Sequence, residues 1–155
     1  MPESKPEQIN TIKNKTILSR ISEEGGLMAK AINLQAKAAE YGFDWPTIEP
    51  VFEKLQEEIS ELKQELGLSG LAANNDRDYF QDRLQDELGD VLFCCMNLAR
   101  FLKVDPSKAL NSTNEKFERR FNFIESFVAK QGQKMEDLSL EELDKAWDKA
   151  KEQGL

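Results

Sequence analysis

Apolar residues recur at helical spacing in five separate segments of the chain. In the first segment, Leu27, Ala31, Leu34 and Ala38 fall on one face of a helix. The later segments keep the same spacing of three and four residues, and none shows the two-residue alternation of a half-buried strand. We therefore predict an all-α fold, built as a bundle of about five helices. The predicted helices cover residues 27–41, 48–66, 79–102, 106–130 and 140–152.

The first 22 residues differ from the rest of the chain. They are polar, contain Pro2 and Pro6 and show little periodicity, which predicts a mobile tail or an inter-domain linker. The length of 155 residues suits one domain, which we place at residues 23–155.

Composition argues against several classes of protein. Charged residues make up 32 % of the chain, no apolar run reaches about 18 residues, and "MPESKPEQIN" lacks the pattern of a signal peptide. These features predict a soluble, cytoplasmic protein that does not enter a membrane. The net charge of −8 argues against a nucleic-acid binder, which needs a basic surface. It allows a small phosphorylated ligand beside a bound cation.

Cysteine and histidine content limits the metal chemistry. Cys94 and Cys95 are adjacent inside an apolar run, so we expect two buried, reduced thiols rather than a disulfide. The chain has no histidine, which removes the usual catalytic base and most zinc sites. Any metal must then be held by oxygen, and oxygen ligands favour Mg²⁺, Mn²⁺ or Ca²⁺.

Acidic residues cluster on the second predicted helix. On a helical wheel, Glu58, Glu61 and Glu65 lie along one flank of its apolar stripe. Glu57 lies nearly opposite that stripe. Since Glu58 and Glu61 are one turn apart, their carboxylates are expected to be close.

The third predicted helix carries a second acidic pair. Glu87 lies on the flank of its apolar stripe, and Asp90 lies about 60° further round. Cys94 and Asn97 follow Asp90 in the same column. Because the helix is apolar on most faces after Val91, we expect it to be central, with this column covered by another helix.

The two acidic pairs would repel each other if the helices brought them together. A divalent cation converts such repulsion into coordination. Glu58 with Glu61, and Glu87 with Asp90, therefore predict an oxygen-lined Mg²⁺ site, in which Mn²⁺ could substitute. The alternative is that these acids line solvated faces, because acid-rich helices are common in a chain with 29 Asp and Glu residues.

Two basic residues on the fourth predicted helix suggest a ligand for that cation. Lys116 and Arg120 are four residues apart and share one flank, which suits a polyphosphate beside a metal. The alternative is that they form salt bridges with neighbouring acids, namely Glu115, Glu118 or Glu125.

These segments resemble the MazG nucleoside triphosphate pyrophosphohydrolases. The shared pattern is EExxE followed by ExxD, here Glu57, Glu58, Glu61, Glu87 and Asp90. The stretches "LQAKAAEYGFDWP", "ELGDVLF", "NLAR", "KFERRF" and "SLEELDKAWDKAK" also match, so that the resemblance covers residues 27–152. It implies an all-α, Mg²⁺-dependent hydrolase that forms a homodimer. Such an enzyme cuts a nucleoside or deoxynucleoside triphosphate to the monophosphate and pyrophosphate, and one expected role is the cleansing of the nucleotide pool.

The resemblance also implies roles for individual residues. Metal ligation falls to Glu58, Glu61, Glu87 and Asp90. By the same match, Glu57 would support these ligands or position water, and Lys116 and Arg120 would contact the phosphates. Separately, because the chain has no histidine, we expect Glu57 or Glu61 to take the proton of the attacking water, and Lys116 and Arg120 to stabilise the departing pyrophosphate. Trp147 would lie near the nucleotide, while Asn97, Phe43 and Trp45 are candidates for sugar and base contacts.

Well-known bacterial members of the family carry two such domains in tandem, and this chain resembles the C-terminal one, so residues 1–22 could be a linker.

Two alternatives to this function stay open. One alternative is a non-enzymatic helical module that pairs with other proteins through its apolar stripes. The other is a hydrolase of the same fold restricted to one nucleotide, such as dUTP or dCTP.

Overall fold

The computed structural model describes residues 16–22, 24–69 and 77–155. Five α-helices and no strand form within these ranges, which confirms the predicted all-α class. The helices are α1 (Gly26–Ala39), α2 (Glu49–Ser69), α3 (Arg77–Leu102), α4 (Pro106–Lys130) and α5 (Leu140–Glu152). Most of the predicted tail lies outside the described residues. Among the described residues, every helix is too short or too polar to span a bilayer.

Local chemistry sets the helix ends. Gly42, at φ +82°, ends the turn that follows α1, and the amide of Phe43 donates to the carbonyl of Ala38. The carboxylate of Asp105 accepts hydrogen bonds from the first turn of α4, whose first residue is a proline. Ser139 and Glu142 form the predicted capping box of α5. A short 3₁₀ turn at Met135–Asp137 is an element that the sequence reasoning missed.

The chain forms two compact units, which divide between Leu102 and Lys103. In the first unit, α3 packs against both α1 and α2, so the prediction that α3 is central holds within this unit. In the second unit, α4 packs against α5. The buried core of the second unit is small and contains Ile124, Val128 and Ala146.

The column of α3 that begins with Asp90 is only partly covered. Cys94, which was expected to be buried, is half-buried, and so is Asn97. Asp90 is exposed, and the expectation that another helix covers it is wrong within the described residues. A contact between α1 and α3 lies beyond Asp90 along α3. The amide of Gln35 on α1 donates to the carbonyl of Phe93, which lies almost one turn beyond Asp90.

Candidate metal and nucleotide site

Three predicted metal ligands come together between α2 and α3. One carboxylate oxygen each from Glu58, Glu61 and Glu87 can be chosen so that all three lie within 4.8 Å of one another. Glu58 is only 5 % exposed, and the other two are half-buried. Buried carboxylates need a partner, so this cluster is the strongest candidate for a cation site among the described residues.

The order of contacts between α2 and α3 explains this convergence. Glu65 near the end of α2 pairs with Arg83 near the start of α3. Glu61, one turn earlier on α2, lies near Glu87, one turn later on α3. The two helices therefore run antiparallel, and the apolar periodicity of each brings an acidic flank to the same seam.

Glu61 lies beside another carboxylate of the cluster. The carboxyl of Glu58, close to that of Glu61, raises the pKa of Glu61 above its ordinary value through a hydrogen bond and through its negative charge. A carboxylate that is hard to ionise beside another carboxylate is one that a cation would stabilise.

Lys54 partly balances these charges, and the sequence reasoning missed it. Its ammonium lies 2.7 Å from Oε1 of Glu58 and 2.8 Å from Oε1 of Glu57. These two carboxylates raise the pKa of Lys54. The spacing of three and four residues along α2 was the signal that could have revealed the pairs.

Two acids of the predicted pattern lie outside the cluster of three. Asp90 is exposed on α3, one turn after Glu87. It is not one of the three residues whose carboxylate oxygens lie within 4.8 Å of one another. Glu57 is exposed on α2 and bonded to Lys54, in agreement with its predicted place away from the acidic flank.

The predicted sugar and base contacts lie around one polar network in the first unit. Arg100 donates through Nη1 to Oδ2 of Asp44 at 3.0 Å, and through Nε to Oδ1 of Asn97 at 3.0 Å. This guanidinium lowers the pKa of Asp44. The network anchors the loop that presents Phe43 and Trp45, of which Phe43 is 83 % exposed.

The predicted phosphate contacts lie in the second unit. Arg120 is placed over the ring of Trp147, at 5.4 Å from the ring centroid, and its Nε donates to the carbonyl of Leu155 at 2.6 Å. Lys116 is exposed on α4. Within the part of the chain that the structure describes, neither basic residue forms the alternative salt bridges with its neighbouring acids.

The donor set of the acidic cluster restricts the ion that it could hold. All donors are carboxylate oxygens drawn from two helices, without sulfur or imidazole. Such hard ligands suit Mg²⁺ and Mn²⁺ rather than zinc or copper. The residues therefore fit the cation that the acidic pattern predicts.

Comparison with known proteins points to one family. The profile of the MazG nucleotide pyrophosphohydrolase domain matches residues 12–124. The chain is 40 % identical, over 142 residues, to the nucleoside triphosphate pyrophosphohydrolase/pyrophosphatase MazG of Thermotoga maritima, a match that covers 90 % of this chain and 51 % of that protein. It is 38 % identical, over 126 residues, to the nucleoside triphosphate pyrophosphohydrolase of Escherichia coli K12. This second match covers 81 % of this chain and 45 % of that protein. This chain thus spans about half the length of these relatives.

Proposed function

We propose, from the premise that this chain belongs to the MazG nucleotide pyrophosphohydrolase family, that it hydrolyses nucleoside or deoxynucleoside triphosphates. The products are the monophosphate and pyrophosphate, and the reaction requires Mg²⁺. The observation that carries this proposal is the cluster of Glu58, Glu61 and Glu87, whose oxygens lie within 4.8 Å of one another. Removal of unwanted nucleotides from the cellular pool is a role consistent with such a reaction.

The acidic residues divide the work of holding the cation and moving the proton. Glu58, Glu61 and Glu87 would hold Mg²⁺, or Mn²⁺ in its place, with Asp90 as the fourth ligand. When bound, the cation would neutralise phosphate charge and make a water molecule more acidic. Glu57 or Glu61 would accept the proton of the attacking water, because a chain without histidine must use a carboxylate.

Basic and aromatic residues bind the substrate in this proposal. The guanidinium of Arg120, held over Trp147, offers a planar fork to phosphate oxygens, and Lys116 adds a point charge that stabilises the departing pyrophosphate. Trp147 lies near the nucleotide. Asn97, Phe43 and Trp45 contact the sugar and base. This role is supported by the polar network, which includes Asn97 and anchors the loop of Phe43 and Trp45.

We also propose that the chain forms a homodimer. Leu88 and Leu92 on α3 are 48 % and 54 % exposed, and Phe52 and Ile59 on α2 also leave apolar surface uncovered. Clusters of exposed apolar side chains typically mark interfaces, and a second copy of the chain would cover these. Light scattering on the wild-type chain should give twice the monomer mass, and Leu92→Glu should reduce it.

A substrate panel tests the proposed reaction. The purified chain is incubated with each common ribonucleoside and deoxyribonucleoside triphosphate and Mg²⁺, and the products are identified by ³¹P NMR. We expect monophosphate and pyrophosphate in equal amounts. Formation of diphosphate and inorganic phosphate, or no turnover of any nucleotide, would refute the proposal. Turnover of dUTP or dCTP alone would restrict it to one substrate.

A further inference from the structure

One ion pair crosses the α2–α3 seam next to the acidic cluster. A guanidinium nitrogen of Arg83 on α3 donates to Oε1 of Glu65 on α2. Glu65 is only 7 % exposed, whereas Arg83 is partly exposed and also lies over the ring of Tyr79, at 6.0 Å. The pair therefore fixes a buried carboxylate at a defined position along both helices.

This pair occupies the same register as the acids of the cluster. Moving four residues back along α2 from Glu65 reaches Glu61, and moving four residues forward along α3 from Arg83 reaches Glu87. A further three residues in each direction reach Glu58 and Asp90. Because the helices are antiparallel, opposite charges meet at the level of Glu65 and Arg83, and like charges meet at the next level, that of Glu61 and Glu87.

Packing alone does not account for a carboxylate at position 65. Burying a charge is costly unless it is fully paired, and Oε2 of Glu65 is buried without a hydrogen-bond partner among the described residues. An ion pair with one buried member is also weak evidence for added stability, since apolar residues of similar volume often serve as well. A defined register is the best-attested benefit of such a pair.

The acidic cluster next to this pair needs a fixed register of α2 and α3. Glu58, Glu61 and Glu87 repel one another, and their repulsion favours sliding or separation of the helices in the absence of a cation. The pair of Glu65 and Arg83 lies one turn away, and the attraction between its opposite charges counteracts that separation.

We propose that the ion pair of Glu65 and Arg83 locks the register of α2 and α3, so that Glu87 is held against Glu58 and Glu61. Both members are positioning residues: they set the separation of the carboxylates and thereby the affinity for a divalent cation. This inference rests on the proposed function, because it assumes that these carboxylates bind the cation.

Charge alone makes a different prediction from the register lock. Arg83→Gln removes a positive charge near the acids, so a purely electrostatic effect would strengthen cation binding. The register lock predicts the opposite, an increase of about tenfold in the dissociation constant, as is typical when residues that orient metal ligands are lost. Both accounts predict weaker binding in Glu65→Gln, so Arg83→Gln is the decisive variant.

The experiment measures Mn²⁺ binding to the nucleotide-free chain by electron paramagnetic resonance of the free ion. Arg119→Gln is the matched control for the lost charge on arginine, because Arg119 is exposed on α4. Glu53→Gln, at an exposed position of α2, is the control for Glu65→Gln. We expect both controls to bind like the wild type and both test variants to bind more weakly. The reversed pair Glu65→Arg/Arg83→Glu should recover part of the affinity.

The outcomes separate this inference from the proposed function. A wild-type chain that does not bind Mn²⁺ would overturn the proposed metal site and the lock with it. A wild-type chain that binds Mn²⁺, together with equal or tighter binding by folded Arg83→Gln, would overturn the lock alone. If circular dichroism shows that Arg83→Gln does not fold, Arg83→Lys and Glu65→Asp keep every charge and change only the geometry. Weaker Mn²⁺ binding by these variants supports the lock, and unchanged binding overturns it.

Discussion

A carboxylate oxygen of Glu58 lies within 4.8 Å of one of Glu61, and the carboxyl of Glu58 raises the pKa of Glu61. The two residues are one turn apart on α2, and Glu58 is the more buried. This relationship makes Glu61 harder to ionise in the absence of a cation, and the pKa of Glu61 can be measured directly in the metal-free protein.

Removing the charge of Glu58 should restore ordinary titration of Glu61. In Glu58→Gln, the pKa of Glu61 should fall towards the value of an unperturbed glutamate, about 4.3. Carboxyl-detected ¹³C NMR of the metal-free chain measures this pKa. In the wild type, the raised pKa means that the metal-free fold loses stability as the pH rises from about 4.3 through the pKa of folded Glu61. An identical pKa in wild type and variant would show that the two carboxyls do not interact.

Divalent cation should stabilise the fold. At a concentration about 100-fold above the dissociation constant, Mg²⁺ with a non-hydrolysable nucleotide should raise the melting temperature by about 5 °C or more. EDTA should reverse the shift, and Glu58→Gln should reduce it, because the variant lacks a ligand. A non-enzymatic interaction module predicts no shift with Mg²⁺ and a neutral or stabilising effect of Glu58→Gln.

Replacing the guanidinium of Arg120 by an ammonium should weaken substrate binding. Arg120→Lys keeps the charge but loses the planar donors and the placement over Trp147, so KM should rise by about tenfold. Steady-state kinetics with the preferred nucleotide measures this change. Arg119→Lys, on the exposed side of the same helix, is the control and should behave as wild type. Equal kinetics of the two variants would remove Arg120 from the proposed site.

The loop around Phe43 should matter for the nucleoside but not for the phosphates. Asp44→Asn breaks the charged contact with Arg100, so KM for a nucleotide should rise severalfold while inhibition by tripolyphosphate is unchanged. Asp82→Asn, at an exposed position of α3, is the matched control. A parallel loss of affinity for both ligands would assign Asp44 to general stability instead.

Much of the helical architecture could be predicted from the sequence, because local signals dictate it. The capping box of Ser139 and Glu142, and the pair of Asp105 and Pro106, act within a few residues of where they lie. The predicted end of the first helix was two residues too late, since Ala39 is its last residue and a turn then leads to Gly42. Periodicity indicates the face of a helix, but it locates the end only where a capping residue is recognised.

The site was predictable only as far as one helix determines it. The wheel brought Glu58 and Glu61 together and separated Glu57 from them, as the structure does. It could not show that Asp90 is exposed, since that depends on how the neighbouring helices pack against α3. The pairing of Lys54 with Glu58 follows from their spacing of four residues on α2, and the sequence reasoning missed it. The ion pair between Glu65 and Arg83 depends on the register of two helices, and a pattern within either helix does not specify that register.

The central claim is that the proposed hydrolysis requires the acidic cluster. The measurement that tests it most directly is release of pyrophosphate from a mixture of nucleoside triphosphates, with and without Mg²⁺, by the wild type, Glu58→Gln and Asp90→Ala. We predict release by the wild type only with Mg²⁺. We expect a loss of about a hundredfold or more in each variant, equivalent to several kcal/mol of transition-state stabilisation. No release by the wild type, or full activity of either variant, would contradict the account.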